Sequence, residues 1–131
     1  MNKLLLACLM CPVLAHAAQW AKLGSGGGSE SFIDKGSIIK SDKSWKAWSL
    51  VSYASEQATQ DGSAYRSMKA LHLYSCADRT STLLSQVYYS EPMGKGPVLQ
   101  NVKYEKFGAE DIVPDSVADS ALNAICKRKK K

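Results

Sequence analysis

The chain has 131 residues, enough for one domain around one hydrophobic core. Its formal net charge of +5 equals the charge of its last five residues, because residues 18–126 carry 11 Lys and Arg against 12 Asp and Glu. The body of the protein is therefore almost neutral. This excludes an extended basic face and sequence-specific nucleic-acid binding.

The N-terminal segment has the three parts of an export signal. A basic start precedes an apolar run over residues 4–14, and residues 15–17 are the small-residue triplet Ala-His-Ala that signal peptidase recognises. The run is too short for a membrane span, which needs roughly 20 residues. We therefore predict a cleaved signal peptide at residues 1–17 and a mature chain that begins at Ala18 without a transmembrane segment. A buried N-terminal helix and lipid attachment at Cys8 are the alternatives.

Cleavage divides the four cysteines into two pairs. Cys8 and Cys11 have the spacing of a redox or metal-binding pair, but they lie in the segment predicted to be removed. Cys76 and Cys126 remain, and a single disulfide is the expected state of two cysteines in an oxidising compartment. It would close a loop of about 50 residues and contribute roughly 4 kcal/mol on the chain-entropy model.

Residues 18–126 are predicted to form the domain, followed by a basic C-terminal tail at residues 127–131. Much of the domain alternates apolar and polar residues, as half-buried strands do. The strand-like runs cover residues 19–23, 31–34, 37–40, 45–55, 65–76, 80–90 and 98–102. The three long runs are joined by short polar turns, which predicts an antiparallel meander.

Two details of the strand region bear on function. The glycine-rich residues 24–29 lack the lysine of a phosphate-binding loop, so we interpret them as a hairpin connection. Trp45 and Trp48 lie on opposite faces of their strand, so at least one of them belongs to the core.

One helix is predicted near the C-terminus. Ser116 is its N-cap, and Asp119 lies near the positive end of the helix dipole. Cys126 ends the helix. Its apolar stripe consists of Val117, Ala118, Ala121, Leu122 and Ile125.

The two remaining cysteines relate this helix to the sheet. Cys76 shares one face of its strand with Met68, Ala70, His72 and Tyr74. If the helix packs on that face, Cys126 reaches Cys76. The expected fold is α+β and mainly β: an antiparallel meander sheet with one C-terminal helix packed on one face and tethered by the disulfide.

Residues suited to catalysis are scarce. His72 is the one histidine after residue 17, and its place in a strand favours a packed, hydrogen-bonded core or boundary side chain over a catalytic base. One histidine and two bridged cysteines offer no tetrahedral metal set. The Glu110-Asp111 pair is interpreted as a solvated turn. We therefore expect no catalytic residue, no metal and no cofactor.

The basic tail has two functional interpretations. It would be attracted to anionic lipid at roughly 1 kcal/mol per charge near a membrane, or it would bind polyanions non-specifically. A solvated, disordered terminus is the alternative that needs no partner. The residues concerned are Lys127, Arg128, Lys129, Lys130 and Lys131.

Several short motifs follow one another in a recognisable order. They are Gln19-Trp20, Phe32-Ile33-Asp34, Ser37-Ile38, Trp48-Ser49-Leu50-Val51, Tyr65-Arg66-Ser67-Met68-Lys69, Cys76-Ala77-Asp78-Arg79-Thr80, Tyr89-Ser90, Val113-Pro114, and Ser116 ahead of Cys126. In this order the motifs resemble the surface-adhesin protein E family of Gram-negative bacteria. The resemblance covers nearly the whole mature chain, and the glycine-rich loop and the basic tail depart from it.

This resemblance implies an antiparallel sheet with a packed C-terminal helix, exposed at the cell envelope or passing through it. It also implies a protein partner, because the best-studied member of the family adheres to host extracellular-matrix proteins. We therefore expect an exported, non-catalytic, adhesin-like module in the periplasm or at the cell surface, which binds a matrix or envelope protein. The alternative is a periplasmic housekeeping protein, either a small-ligand or inhibitor domain or an undetected enzyme.

Overall fold

The structure is a computed structural model that describes residues 17–105 and 107–127. Cys8, Cys11 and all but the last residue of the predicted signal peptide lie outside the described residues. Lys127 is the described residue of the basic tail. The predictions for Arg128, Lys129, Lys130 and Lys131 also fall outside.

The described chain is mainly β, with a single α-helix at its end, as the sequence predicts. Its elements are β1 (Trp20–Gly26), β2 (Ser29–Asp34), β3 (Ile39–Ser41), β4 (Ser44–Ala58), β5 (Ala64–Ser75), β6 (Thr80–Tyr89), β7 (Val98–Lys103), β8 (Glu110–Asp111) and α1 (Val117–Lys127). Two short 3-10 turns, Lys35–Ser37 and Pro92–Gly94, connect strands.

The described strands form one antiparallel sheet with the order β1-β2-β4-β5-β6-β7. β3 continues the line of β2 along β4, and β8 continues the line of β7 along β6. The long strands that follow one another in the chain are also neighbours in the sheet. The predicted meander is therefore confirmed.

The glycine-rich stretch is a hairpin, as predicted. β1 and β2 extend into it until Gly26 pairs with Ser29. Gly27 and Gly28 form the turn, with φ angles of 62° and 82°. Glycine adopts this left-handed region without steric cost, and two-residue turns with positive φ match the twist of the flanking strands.

The hydrophobic core lies between the sheet and α1. From the sheet, Ile33 and Ala47 are fully buried, and Tyr74 is almost so. They belong to one cluster with Leu122 and Ile125 of the helix, which are also fully buried. One helix therefore covers one part of one sheet face, as the apolar pattern indicates.

The predicted apolar stripe of α1 is wrong at the first turn of the helix. From Ala121 onward it is buried, but Val117 is 47% exposed and Ala118 is exposed as well. Asp119 is buried in their place, with 9% of its surface exposed. Arg79 reaches it from the β5–β6 turn and forms an ion pair, and such a partner makes the burial of a carboxylate tolerable.

Two contacts tie α1 to the turn between β5 and β6. Near the end of the helix Cys126 forms the predicted disulfide with Cys76, and their Cα atoms lie 5.8 Å apart. In the first turn Asp119 pairs with Arg79. The Asp119 N–H also donates to Ser116 Oγ at 3.1 Å, which confirms the predicted N-cap. The helix is thus held near both ends against the same turn.

The opposite face of the sheet is partly covered by the turn Pro92–Gly94, which contacts β4 and β5. The Met93 N–H donates to Ser52 Oγ at 3.1 Å, and the Gly94 N–H donates to Ser67 Oγ at 2.8 Å. Ser67 is fully buried, so its hydrogen bonds replace those that water would otherwise make. These bonds fix the turn against the sheet.

Removal of the disulfide should lower the stability of the domain. We expect replacement of Cys76 and Cys126 by Ala to reduce the free energy of unfolding by about 2–5 kcal/mol, because the bridge joins residues 50 positions apart. Guanidinium unfolding of the oxidised protein and of the double variant measures the difference. Reduction of the unchanged protein is the control and should cost a similar amount. Equal stability of all three samples would contradict a stabilising role for the bridge.

Candidate functional site

The helix covers one end of its sheet face, and a group of aromatic side chains occupies the other end. We call this group the tyrosine surface. Its members come from β4, β5, β6 and the segment after β7, and they are Tyr53, Tyr65, Tyr88, Tyr104 and Phe107.

Strand alternation places Tyr53 and Tyr88 on the helix side of the sheet, and Tyr65, which lies at the register shift between β4 and β5, joins them through its ring contacts. Tyr88 pairs with Met68 of β5. Met68 has the same parity along β5 as His72 and Tyr74, which lie beneath α1. The helix and the tyrosines therefore divide one face between them.

The aromatic rings of this surface contact one another edge to face. The ring centroids of Tyr53 and Tyr65 are 5.8 Å apart, and those of Tyr65 and Tyr88 are 4.9 Å apart. Tyr104 and Phe107 form a second pair at 4.7 Å. Edge-to-face pairs of this kind contribute about 0.5–1.5 kcal/mol beyond the area they bury. The rings are thus held in a defined arrangement before any partner arrives.

Gln86 joins the two aromatic groups. Its Oε1 accepts a hydrogen bond from Tyr104 Oη at 2.7 Å and a longer one from Tyr88 Oη at 3.4 Å. Its Nε2 donates to Met68 Sδ at 3.4 Å. The amide therefore fixes the orientation of both phenols and connects the rings into one surface.

Partial burial raises the pKa values of two of these phenols. Burial raises the pKa of Tyr65, and the neighbouring Tyr53 adds to the effect. Burial likewise raises the pKa of Tyr88, with contributions from Tyr104 and Tyr65. Both side chains therefore stay neutral at physiological pH, and their hydroxyl groups remain able to donate hydrogen bonds.

The tyrosine surface adjoins β7, the last strand in the order of the described sheet. Phe107 is 51% exposed, and β7 carries the exposed Leu99 and Val98, of which Val98 pairs with Tyr89 and therefore lies on the opposite face. β7 ends the strand order of the described sheet, so its outer edge has no partner strand among the described residues. A sheet edge beside aromatic side chains is suited to binding another polypeptide.

The opposite face of the sheet carries a second concave feature, which we call the Lys69 cleft. It has a volume of about 240 Å³, and its lining includes Lys69, Trp20, Trp48, Tyr89 and Asp34. Lys69 Nζ lies 4.8 Å from the centroid of the Tyr89 ring and 5.7 Å from that of Trp20. These distances are those of cation–π contacts.

The two tryptophans of β4 occupy the opposite faces predicted for them. Trp45 packs against the core on the helix side, whereas Trp48 lines the Lys69 cleft. The indole Nε1 of Trp45 is buried and has no hydrogen-bond partner within the described part of the chain. Trp45 is thus the core residue and Trp48 the surface residue.

His72 lies where the strand pattern places it, beneath the helix. Its ring is 5.7 Å from that of Tyr74. Its buried Nδ1 has no hydrogen-bond partner in residues 17–105 and 107–127, so at that atom the expectation of a hydrogen-bonded histidine is wrong. Burial lowers its pKa below 6.5, and the charge of Glu110 opposes this in part.

A small cavity of about 140 Å³ adjoins His72 between the sheet and α1. The hydroxyl-bearing residues Ser31, Ser49 and Ser81 line it together with apolar side chains, and no carboxylate does. Glu110 and Asp111 are exposed, and they form the short strand β8 rather than the predicted turn. The described residues contain no group of three or more His, Cys, Asp or Glu that could hold a metal ion.

A wider groove of about 470 Å³ lies beside the β1–β2 hairpin and includes Arg66. The Arg66 guanidinium donates to the carbonyl oxygens of Tyr53 and Ala54 at 3.3 and 2.9 Å. The guanidinium group therefore hydrogen-bonds to the backbone of β4. We assign no ligand to this groove.

None of the helices described is long and apolar enough to cross a membrane. No curated protein matches the chain. Among solved structures, one crystal form of Haemophilus influenzae protein E superposes with a TM-score of 0.64 at 18% identity, covering 86% of this chain and 97% of that one. Protein E from non-typeable Haemophilus influenzae gives a TM-score of 0.65 at 19% identity, covering 90% and 82%.

These structural likenesses establish the fold, which is that of protein E. The family model described as surface-adhesin protein E matches residues 20–127, from the start of β1 to the end of α1. The resemblance seen in the order of the sequence motifs is thereby confirmed. The chain belongs to the surface-adhesin protein E family.

Proposed function

We propose that this adhesin-like chain is an exported, non-catalytic module that binds a protein of the extracellular matrix or the cell envelope through its tyrosine surface. The observation that carries the proposal is the set of half-buried aromatic rings that contact one another beside the helix. Membership of a surface-adhesin family supports an extracellular or envelope setting. Cleavage after residue 17 would leave a mature chain in which residues 18–126 form the domain and residues 127–131 the basic tail.

The chemistry of the surface favours a protein partner. Tyrosine is enriched at protein interfaces because a rigid ring offers a large contact area and its hydroxyl provides a hydrogen bond. Here the rings already contact one another, so little side-chain entropy would be lost on binding. Phe107 packs on Tyr104 just after β7, is 51% exposed, and extends the apolar area towards the edge of that strand. An extended segment of the partner would pair with that edge and place its side chains on the rings.

The basic tail would act separately from the tyrosine surface. Lys127 is the exposed last residue of α1. It is preceded by core residues that fix the direction in which the chain leaves the domain. We propose a weak contact of residues 127–131 with anionic lipid or another polyanion, which would hold the domain close to the envelope.

A periplasmic housekeeping role is the second candidate, and the cavity beside His72 favours it. Three serine residues and a histidine with an unpartnered Nδ1 meet there. The cavity, however, is smaller than the roughly 300–1,000 Å³ usual for small-molecule sites. Its volume of about 140 Å³ fits a packing defect between helix and sheet as well as a ligand site.

Processing of the exported protein tests the predicted signal peptide. We expect the intact mass of the native protein to correspond to a chain that begins at Ala18, because residues 15–17 form the recognition triplet after the apolar run. A chain beginning at Gln19 would still support cleavage. A mass that includes Cys8, with or without lipid, would contradict it.

Substitution within the tyrosine surface tests the proposed binding face. We expect Tyr88→Ala to weaken binding to a responsive protein from a panel of purified matrix and envelope proteins by at least about tenfold, the effect of losing an aromatic hot spot. Biolayer interferometry with the processed protein gives the dissociation constants. Ile39→Ala is the control, because this side chain is apolar and 58% exposed but belongs to neither the tyrosine surface nor the Lys69 cleft. Equal losses in both variants, or none in either, would contradict the assignment.

Substitution of His72 tests the non-catalytic assignment. Burial holds the pKa of His72 below 6.5. As the pH falls, His72 is therefore protonated in the unfolded chain before it is protonated in the folded chain. The stability due to neutral His72 is thus present above pH 6.5 and lost as the pH falls through the folded pKa. We expect His72→Gln to weaken this pH dependence in chemical denaturation and to leave partner binding unchanged. A variant with unchanged stability that lost a measurable activity would support an enzyme instead.

A further inference from the structure

The Lys69 cleft contains a cation that is held in place and forms no ion pair with another described residue. Lys69 Nζ lies close to the Tyr89 and Trp20 rings, at 4.8 and 5.7 Å from their centroids. Neither the Lys22–Glu30 pair nor the Arg79–Asp119 pair involves this ammonium group, and the carboxylate of Asp34 in the same cleft is not within ion-pair distance of it. The face of an aromatic ring attracts a cation but does not cancel its charge. The ammonium therefore remains available to an anion.

The backbone keeps the Lys69 side chain in this position. Gly94 packs against it so closely that a Cβ there would lie 2.6 Å from Lys69 Cε. Gly94 also has a φ of 68°, which a residue with a side chain rarely adopts. The hydrogen bond from the Gly94 N–H to Ser67 Oγ holds the turn against β5. The turn thus restricts the lysine stem and directs its ammonium group towards the aromatic rings.

The other polar group of the cleft is the carboxylate of Asp34. Its Oδ1 accepts hydrogen bonds from the N–H groups of Gln19 and Gly36, at 2.8 and 3.0 Å. Its Oδ2 has no hydrogen bond within the described part of the chain and is an open acceptor. Ala18 also lines the cleft, so its α-ammonium group would add a positive charge there once the predicted signal peptide is removed.

We propose that the Lys69 cleft binds a single acidic sugar residue, one that carries a carboxylate on its ring. The carboxylate would accept a charge-assisted hydrogen bond from Lys69. The C–H face of the ring would pack on the half-buried indoles of Trp20 and Trp48, whose electron-rich faces attract the weakly positive hydrogens. A ring hydroxyl would donate to Asp34 Oδ2.

The size and composition of the cleft favour this ligand over others. A cavity of about 150 Å³ already accommodates a six-membered ring, so the 240 Å³ of the cleft suffice for one substituted ring. A purely apolar ligand would offer no hydrogen bond to the Lys69 ammonium group or to Asp34 Oδ2. A cationic ligand would meet the charge of Lys69. A ligand with an apolar face, hydroxyl groups and one negative charge satisfies all the groups present.

This site is independent of the proposed protein-binding function. Tyr89 and Tyr88 are adjacent in β6, and their side chains point to opposite faces of the sheet. Ligand binding in the Lys69 cleft and partner binding on the tyrosine surface therefore respond to different variants. Failure of one assignment leaves the other open to its own test.

Titration of the processed protein with methyl glucuronide and with neutral methyl glucoside tests the site. Saturation-transfer NMR detects the bound sugar, and the fluorescence of Trp20 and Trp48 follows the cleft. We expect the glucuronide to bind at least about tenfold more tightly than the glucoside, because only its carboxylate can accept a charge-assisted hydrogen bond from Lys69. Added salt should weaken the binding.

Two lysine variants complete the experiment. Lys69→Met removes the charge but keeps an apolar stem against Gly94, and we expect it to abolish the preference for the glucuronide. Lys40→Met is the matched control, because Lys40 also lies over an indole, with Nζ 6.0 Å from the Trp45 ring, but outside the cleft. Equal affinity for both sugars, no binding of either, or an unchanged Lys69→Met variant would overturn the proposal. So would binding of benzoate with no binding of the glucuronide.

Discussion

The attachment of α1 to the β5–β6 turn is the constraint that divides the helix side of the sheet. It determines where the covered core ends and where the tyrosine surface begins. The disulfide holds the last turn of the helix and the Arg79–Asp119 pair holds the first. With an 11-residue helix fixed at this end of the sheet, its buried side chains pack into one cluster with Ile33, Ala47 and Tyr74. The tyrosines at the far end must therefore pack on one another, and the same contacts that keep them ordered leave their outer side open.

A similar division exists on the opposite face. There the cover is a three-residue turn whose N–H groups bind two serine hydroxyls of β4 and β5. Because the turn is so short, it restricts Lys69 without covering it. The cleft therefore combines a fixed cation with open aromatic walls. Both candidate surfaces thus arise where a small covering element ends before the sheet does.

Local patterns predicted the elements of this fold, because alternation, turn residues and capping act over a few positions. Strand β5 and the cap at Ser116 follow from such patterns. The disulfide could also be predicted from the sequence, since two cysteines in an oxidising compartment leave only one possible pairing. The exposure of Val117 and the burial of Asp119 could not be predicted. Arg79, the partner of Asp119, lies in a turn distant in sequence and approaches it only when β5, β6 and α1 are assembled.

The candidate surfaces were beyond the reach of sequence patterns for a related reason. Trp20, Lys69 and Tyr89 belong to three different strands, and their proximity depends on the register of the strand pairs between them. That register includes a shift between Leu71 and His72, which no local pattern marks. Tyrosines at 53, 65 and 88 become neighbours only once this register is known.

The two-residue period of β6 has a consequence for how the protein can bind. Tyr88 belongs to the tyrosine surface and Tyr89 to the Lys69 cleft, so one strand contributes to both sites at adjacent positions. The sheet between the sites is a single hydrogen-bonded layer. Ligands on its two faces are therefore close but do not compete for space. A partner that carries both an extended peptide and an acidic sugar would gain from both sites only if its linker passes around the edge of β7, since the sheet itself cannot be crossed.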